Sequence, residues 1–192
     1  MVLRSAEFIL MGPFRLLAGL LPFLIAALLV LLVNLPVSLT GRALPAPVLA
    51  LAAVYYWVLY RPDLMPPTAV FVVGLLEDTL SGGPPGLWAA GFLAAYYLAE
   101  RQREVLAGLA GVGAILGFAG CMVFAAVVSY ALAFLVYWRA APVAPLLLET
   151  IVTVLFYPLI ALSMGWVHRH VLAALRRRDE SGLRDVFVRR QG

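Results

Sequence analysis

Long apolar runs, separated by short polar or proline-rich segments, make up most of this chain. Residues 16–33 carry no charge, and at about 1.5 Å per residue such a helix crosses most of a hydrocarbon core about 30 Å thick. Prolines at the start of later runs suit the first turn of a helix. The pattern predicts six helices, over residues 16–33, 45–60, 66–81, 84–100, 105–138 and 146–171.

The composition indicates a membrane protein. Of the 192 residues, 64% are hydrophobic and 12% are charged, which leaves too few polar groups to cover a soluble globule of this size. The basic residues are all arginine, and arginine is enriched beside the cytoplasmic ends of membrane helices, so the net charge of +4 requires no nucleic acid. We expect an all-α integral membrane protein in contact with membrane lipid, with no nucleic-acid partner.

The arginines also predict the orientation. Across six crossings, Arg42 and Arg139 fall on one side of the membrane and every other arginine falls on the opposite side. The arginine-rich side is cytoplasmic by the positive-inside rule, so both termini should be cytoplasmic. We expect a six-helix polytopic bundle over residues 1–175, forming a single transmembrane domain, and an Arg-rich cytoplasmic tail over residues 176–192.

Adjacent carboxylates lie inside apolar sequence at Glu77 and Asp78. A charge at bilayer depth costs roughly 2.5–3.5 kcal/mol, so an intramembrane acid is a candidate functional residue. A spanning third helix places both acids near its last turn, and Gly82-Gly83 ends that helix. Helices three and four then form a tight antiparallel hairpin. In an alternative arrangement, the two helices are re-entrant and return to the same side of the membrane.

The sequence around these acids resembles the signature of the MreD family of bacterial rod-shape-determining membrane proteins. Gly74, Asp78, Gly82 and Gly86 recur at four-residue intervals, as in that signature, and the likeness covers roughly residues 14–175. Further matching features are Pro47, the Tyr56-Trp57 pair and Pro158. Glu77 departs from the family pattern, which has an apolar residue before the Asp.

The resemblance implies a function that composition and spacing do not. It implies a non-enzymatic subunit of the bacterial cell-elongation complex, which carries out lateral peptidoglycan synthesis in the plasma (inner) membrane. The implied partner is the scaffold MreC, and through it the actin-like MreB, the elongation polymerase and the transpeptidase. No cofactor is implied. The candidate partner-contact residues are Gly74, Asp78, Gly82, Gly86 and Glu77.

Two interpretations of Asp78 follow from its position. A partly desolvated carboxylate beside Glu77 and the negative end of a helix is disfavoured as an anion, so it would be protonated or paired with a cation. Arg42, Arg139 or a partner's side chain would supply that cation. Alternatively, Asp78 hydrogen-bonds the Gly82-Gly83 turn, because glycines permit the backbone angles that tight hairpins need.

Other functional classes find less support. Adjacent acids on a helix point about 100° apart, so Glu77 and Asp78 do not form an acid/base pair, and no catalytic set is recognisable. His168 and His170 do not share a helical face and lack a third ligand for a metal. The main alternative is a substrate-binding membrane subunit of a vitamin-type transporter, which would copurify with its vitamin.

The fifth predicted helix, over residues 105–138, is longer than a bilayer needs, so it either tilts or bends at its Gly-rich start. Small residues recur along it at every fourth position, which predicts a seam for close helix packing, with an intramolecular partner favoured over another protein. The seam residues are Gly113, Gly117, Cys121, Ala125 and Ser129, followed by Ala133.

The second predicted helix ends in aromatic residues. We interpret these rings as an interface belt, which is common where membrane helices meet water. They are Tyr55, Tyr56, Trp57 and Tyr60.

Overall fold

The computed structural model describes residues 12–34, 46–109, 111–138 and 142–172. Within these ranges the chain forms helices and no β-strand, so the prediction of an all-α protein is confirmed. The helices are α1 (Gly12–Asn34), α2 (Leu49–Tyr60), α3 (Pro67–Ser81), α4 (Leu87–Arg101), α5 (Arg103–Ala107), α6 (Val112–Tyr137) and α7 (Val143–Val167), which continues into a π-helical turn, His168–Leu172.

The helices differ greatly in length. α6 has 26 residues and α7 has 25, and both are long and apolar enough to cross a membrane. α2 has only 12 residues, and α3 and α4 have 15 each. At about 1.5 Å per residue, α3 and α4 are each about 22 Å long and α6 is about 39 Å long.

The short helix α2 forms the centre of the bundle. Its residues Ala50 to Leu59 are all buried, because α1, α4 and α7 pack around it. The aromatic-belt prediction is therefore wrong for three of its four rings: Tyr55 is 2% exposed, Tyr56 is 9% exposed and Trp57 is fully buried. Tyr60 alone among the four is exposed. The inner rings contact other side chains, as in the stack of Trp57 on His168 and the edge-on contact of Tyr55 with Phe118.

Hydrogen bonds between helices fix which helix ends lie together. We call the end of the bundle that holds the α3–α4 loop the tip end. Three contacts join helices there: Asn34 Nδ2 to Glu77 Oε1 at 3.2 Å, Val48 N–H to Thr153 Oγ1 at 3.0 Å, and Ser129 Oγ to the Leu87 carbonyl at 2.9 Å. At the opposite end, the base end, Arg103 Nε donates to the Leu59 carbonyl at 3.1 Å.

These contacts give the long elements alternating directions. α1, α3 and α6 run towards the tip end, and α2, α4 and α7 run towards the base end. A tight turn at Arg61 and Asp63 joins α2 to α3 at the base end, where the two side chains form a salt bridge of 2.8 Å. The hairpin of α3 and α4 therefore turns at the tip end.

The predicted fifth helix is divided into two. α5 ends at Ala107 and α6 begins at Val112, so the Gly-rich start of this segment is where the helix is broken. Gly111 takes a φ of +57°, which favours glycine. The last predicted helix begins three residues earlier than expected, at Val143.

Candidate functional site

Asp78 joins the end of α3 to the beginning of α4. Its side chain is 1% exposed, and it accepts hydrogen bonds from three backbone N–H groups across the hairpin. Oδ2 accepts from Gly86 at 2.8 Å and from Ala89 at 3.1 Å, while Oδ1 accepts from Trp88 at 2.8 Å. The first N–H groups of a helix have no partner within that helix. Asp78 therefore caps α4 from the neighbouring helix.

The charge of a carboxylate suits this position. The N-terminus of α4 carries the positive end of that helix dipole, and hydrogen bonds to an ionised acceptor are stronger than neutral ones. Asp78 itself lies at the negative end of α3, which disfavours its charge. The structure adds the N-terminus of α4, which compensates that unfavourable field with three aligned donors.

Of the two sequence-based interpretations of Asp78, hydrogen bonding within the hairpin accounts for the contacts that the structure describes. The donors are the amides at the start of α4, however, and not those of the Gly82-Gly83 turn. Arg42 and Arg139, the two cations that could pair with this acid, lie outside the described residues.

Two signature glycines shape the turn of the hairpin. Gly82 follows α3 with a φ of +72°, and Gly86 precedes α4 with a φ of +104°. L-residues with side chains rarely adopt these angles, whereas glycine does so without steric cost. Gly83 N–H then donates to the Asp78 carbonyl at 3.2 Å and closes the end of α3.

The remaining signature glycine brings the two helices together. A Cβ atom added to Gly74 would lie 2.6 Å from Ala89 Cα and 3.2 Å from the Trp88 carbonyl oxygen. Both contacts are with backbone, which cannot move aside as a flexible side chain can. Gly74 therefore lets α3 and α4 touch at the level where Asp78 caps α4. The four signature positions belong to one hairpin.

Glu77 faces a different element from Asp78. It is 3% exposed and accepts a hydrogen bond from Asn34 Nδ2, at the end of α1. The same nitrogen donates to the Val30 carbonyl at 3.0 Å. The adjacent acids thus contact different helices, as expected for neighbouring positions on a helix.

The predicted small-residue seam lies against α2, α4 and α5. Cys121, Ala125 and Ser129 are buried, and Ala125 and Ser129 lie against Gly91 of α4, where an added Cβ would be 3.0 Å from the Ala125 carbonyl oxygen. A Cβ on Gly117 would lie 2.9 Å from both the Tyr55 hydroxyl and Leu106 Cδ2.

Gly113 contributes less to the seam than the positions that follow it. An added Cβ there would meet only the Leu109 side chain, at 3.4 Å or more. The close part of the seam within the described residues therefore begins at Gly117 and ends at Ser129.

Two buried polar atoms of α2 were not predicted from the sequence. Tyr55 Oη and Trp57 Nε1 are buried and have no hydrogen-bond partner among the described residues. Leaving a buried donor unpaired costs about 1–3 kcal/mol. No sequence signal could have revealed them, because aromatic residues near the end of a membrane helix are usually interfacial.

The two histidines contact different tryptophans. His168 stacks on Trp57 with the ring centroids 5.8 Å apart, and His170 stacks on Trp166 with the centroids 4.9 Å apart. Within the described residues, no group of three His, Cys, Asp or Glu side chains is arranged to hold a metal ion.

No protein-family model, curated protein or solved structure matches this chain. Its function must therefore be inferred from its own residues and from the resemblance of its hairpin signature.

Proposed function

We propose that this chain is a multi-pass protein of the bacterial plasma membrane, with six crossings and both termini in the cytoplasm. Supporting this proposal, the six longer helices alternate in direction, and α6 and α7 have the length and composition of membrane spans. Large apolar side chains also face outward, including Leu28 at 53% exposure and Leu155 at 70%. Apolar surface of this extent needs a lipid or protein environment.

Within the membrane, we propose that the chain is a non-enzymatic subunit of the cell-elongation complex that binds MreC and links the wall synthases to MreB. The observation that carries this proposal is the joint action of the four signature positions in one hairpin. Gly74 permits the close approach, Gly82 and Gly86 shape the turn, and Asp78 caps the second helix. A signature that specifies one folded unit is stronger grounds for a family resemblance than scattered matching residues.

The geometry suits a scaffold role. Asp78 is buried, so it acts on a partner indirectly, by holding the hairpin in one conformation. The surface that a partner would meet is formed by exposed side chains of the same hairpin, such as Phe71, Val72 and Tyr97. A rigid surface loses little entropy when it binds, which favours a stable assembly.

The test is copurification. A tagged form of the protein is solubilised in mild detergent, and copurifying chains are identified by mass spectrometry. We expect MreC, and we expect that Asp78→Ala reduces its recovery while the matched variant Glu77→Gln does not. Cells that depend on the Asp78→Ala variant should lose rod shape.

Two results would contradict the proposal. The first is the absence of MreC from the purified protein together with normal rod shape in cells that lack the protein. The second is copurification of a vitamin in stoichiometric amount, which would support the transporter alternative.

A further inference from the structure

The net charge of the chain is concentrated in one segment. Residues 1–168 contain seven arginines and seven acidic residues, so they carry no net charge when histidine is neutral. Residues 169–192 contain the other seven arginines and the remaining three acidic residues, which accounts for the whole net charge of +4. A local excess of one sign of charge attracts partners of the opposite sign. This excess lies at and after the end of α7 and is not spread over the bundle.

The exposed face of α7 changes in chemistry towards the base end. Leu155 and Leu162 are each 70% exposed and lie seven residues apart, on one face of the helix. Trp166 is 55% exposed and stacks on the exposed His170, with the ring centroids 4.9 Å apart. Leucine, then tryptophan, then basic residues is the order in which a membrane helix passes from hydrocarbon to headgroups. Arg169, which is exposed beside His170, therefore begins the basic segment at a membrane boundary.

The other described arginines at the base end are balanced by nearby acids. Arg61 forms a salt bridge of 2.8 Å with Asp63. The turn over residues 100–104 holds two arginines and two glutamates, and one of these arginines, Arg103, donates to the Leu59 carbonyl at 3.1 Å. In the described part of the base end, positive charge without a neighbouring acid is therefore found at the end of α7.

The sequence that follows α7 combines basic and apolar residues. Residues 176–178 are three arginines, and the first follows His170 by six residues, a reach of at most about 20 Å for an extended chain. Further on, the apolar residues 186–188 lie between Arg184 and the arginine pair at 189–190. A segment binds a bilayer surface more strongly when it buries apolar area and when it is attracted to anionic lipid. Residues 169–192 contain both kinds of side chain.

We propose that residues 169–192 bind anionic phospholipid in the leaflet at the base end. The ligand class is a phospholipid with a negatively charged headgroup, such as phosphatidylglycerol. Because α7 delivers the segment to the membrane boundary, the segment meets this lipid at a high effective concentration, which favours lipid over an acidic protein in solution. Each arginine near an anionic surface strengthens binding about fivefold. The proposal rests on the membrane location proposed above, in which this leaflet is the cytoplasmic one.

The test measures contact between the segment and lipid in the whole chain. A single cysteine replaces Gln191 in a Cys121→Ala background and carries a fluorescent label. The protein is placed in nanodiscs of phosphatidylcholine alone, or of phosphatidylcholine and phosphatidylglycerol in equal parts, so that both faces of the bilayer are accessible. Quenching by nitroxide-labelled lipid reports contact with the bilayer, and quenching by acrylamide reports contact with water.

We expect the label to contact lipid in the nanodiscs that contain phosphatidylglycerol. This contact should be lost as the salt concentration rises from about 0.1 M to about 1 M, because the Debye length falls from about 10 Å to about 3 Å. The triple variant Arg176→Gln, Arg177→Gln, Arg178→Gln should lower the ratio of bound to free segment about a hundredfold. The matched control is Arg101→Gln, which removes an exposed arginine from the balanced turn at the same end and should leave the ratio unchanged.

The reverse change tests the sign of the charge effect. At a salt concentration where half of the segment is bound, Asp179→Asn with Glu180→Gln should raise the ratio of bound to free segment roughly 25-fold. Equal lipid contact in the two kinds of nanodisc, or an unchanged ratio in the triple variant, would overturn the proposal. A label that stays in water while the segment binds an acidic protein in a salt-dependent manner would also overturn it.

A second label position separates this proposal from the membrane location. Leu155→Cys, in the same Cys121→Ala background, places the label on the exposed face of α7, where we expect contact with lipid in both kinds of nanodisc. A Leu155 label in contact with water would refute the membrane location itself. A Leu155 label in lipid, with the Gln191 label in water in the presence of phosphatidylglycerol, would refute the lipid-binding proposal alone.

Discussion

Asp78 offers the most direct test of how the hairpin is held together. In Asp78→Asn, an amide oxygen at the Oδ2 position keeps the bonds from Gly86 and Ala89, but the amide NH₂ replaces the acceptor for Trp88 N–H. One hydrogen bond to a charged group is lost, which costs about 1.5–3 kcal/mol. In Asp78→Ala, all three bonds are lost. We expect this variant to be destabilised by about 3–5 kcal/mol, because it leaves three backbone donors unpaired and each buried unpaired donor costs about 1–3 kcal/mol.

The control for both variants is Glu77→Gln. Glu77 accepts one hydrogen bond, from Asn34 Nδ2 to Oε1, and the Gln amide oxygen can accept the same bond. We expect this variant to lose no more than about 1 kcal/mol, the net value of an ordinary hydrogen bond. The pair compares adjacent acids of similar burial, so any difference reflects their contacts.

Two measurements check the prediction. Unfolding in mixed micelles gives the stability of each variant, and hydrogen exchange resolves the amides of residues 86, 88 and 89. We expect exchange at these amides to accelerate in the order Asp78→Ala, then Asp78→Asn, with Glu77→Gln unchanged. Unchanged stability and exchange in Asp78→Ala would refute the capping role. Loss of MreC binding in Asp78→Asn without faster exchange would instead indicate an ionic contact with the partner.

Three further predictions concern the interior and the surface. In the same unfolding assay, Gly117→Leu should destabilise the protein by about 1–3 kcal/mol, because a Cβ there already meets Tyr55 and Leu106 at 2.9 Å. Unchanged stability would show that this face is loosely packed. Tyr55→Phe should leave stability equal or higher, since it removes a buried hydroxyl without a partner, and a loss above about 1 kcal/mol would contradict this. Hydrogen bonding to Arg61 lowers the pKa of Asp63 below its ordinary 3.8. The salt bridge therefore stabilises the fold above that pH and is lost as the pH falls through the lowered pKa. Because the pair is exposed, Asp63→Asn should cost less than about 1 kcal/mol at neutral pH.

Local sequence signals predicted the boundaries of the hairpin well. α3 begins at Pro67, directly after Pro66, and Gly82 ends it, as the conformations available to proline and glycine require. Such signals act within a few residues, so they can be recognised without knowing the fold. For the same reason, the Gly-rich segment before Val112 could be recognised as a place where the helix bends or breaks.

The environment of α2 could not be predicted in this way. An apolar helix that ends in aromatic residues has the same sequence whether those rings face headgroups or other helices. Burial of Tyr55, Tyr56 and Trp57 depends on helices far along the chain, such as α7, which places His168 against Trp57. The spacing of apolar and polar residues along α2 did not indicate a buried face either, because α2 is buried on every side and has no polar face.

The role of Asp78 falls between these two cases. Its periodicity within α3 relates it to Gly74 and Ser81, but its donors lie eight to eleven residues further on, beyond the turn. A four-residue spacing places residues on one face only within a helix, so its continuation through Gly82 and Gly86, after the helix has ended, does not indicate a shared face. The four positions instead have separate roles in one hairpin. Gly74 faces α4, Asp78 reaches the first amides of α4, and Gly82 and Gly86 turn the chain between α3 and α4. Replacing any one of the four should therefore disturb the same amides at the start of α4.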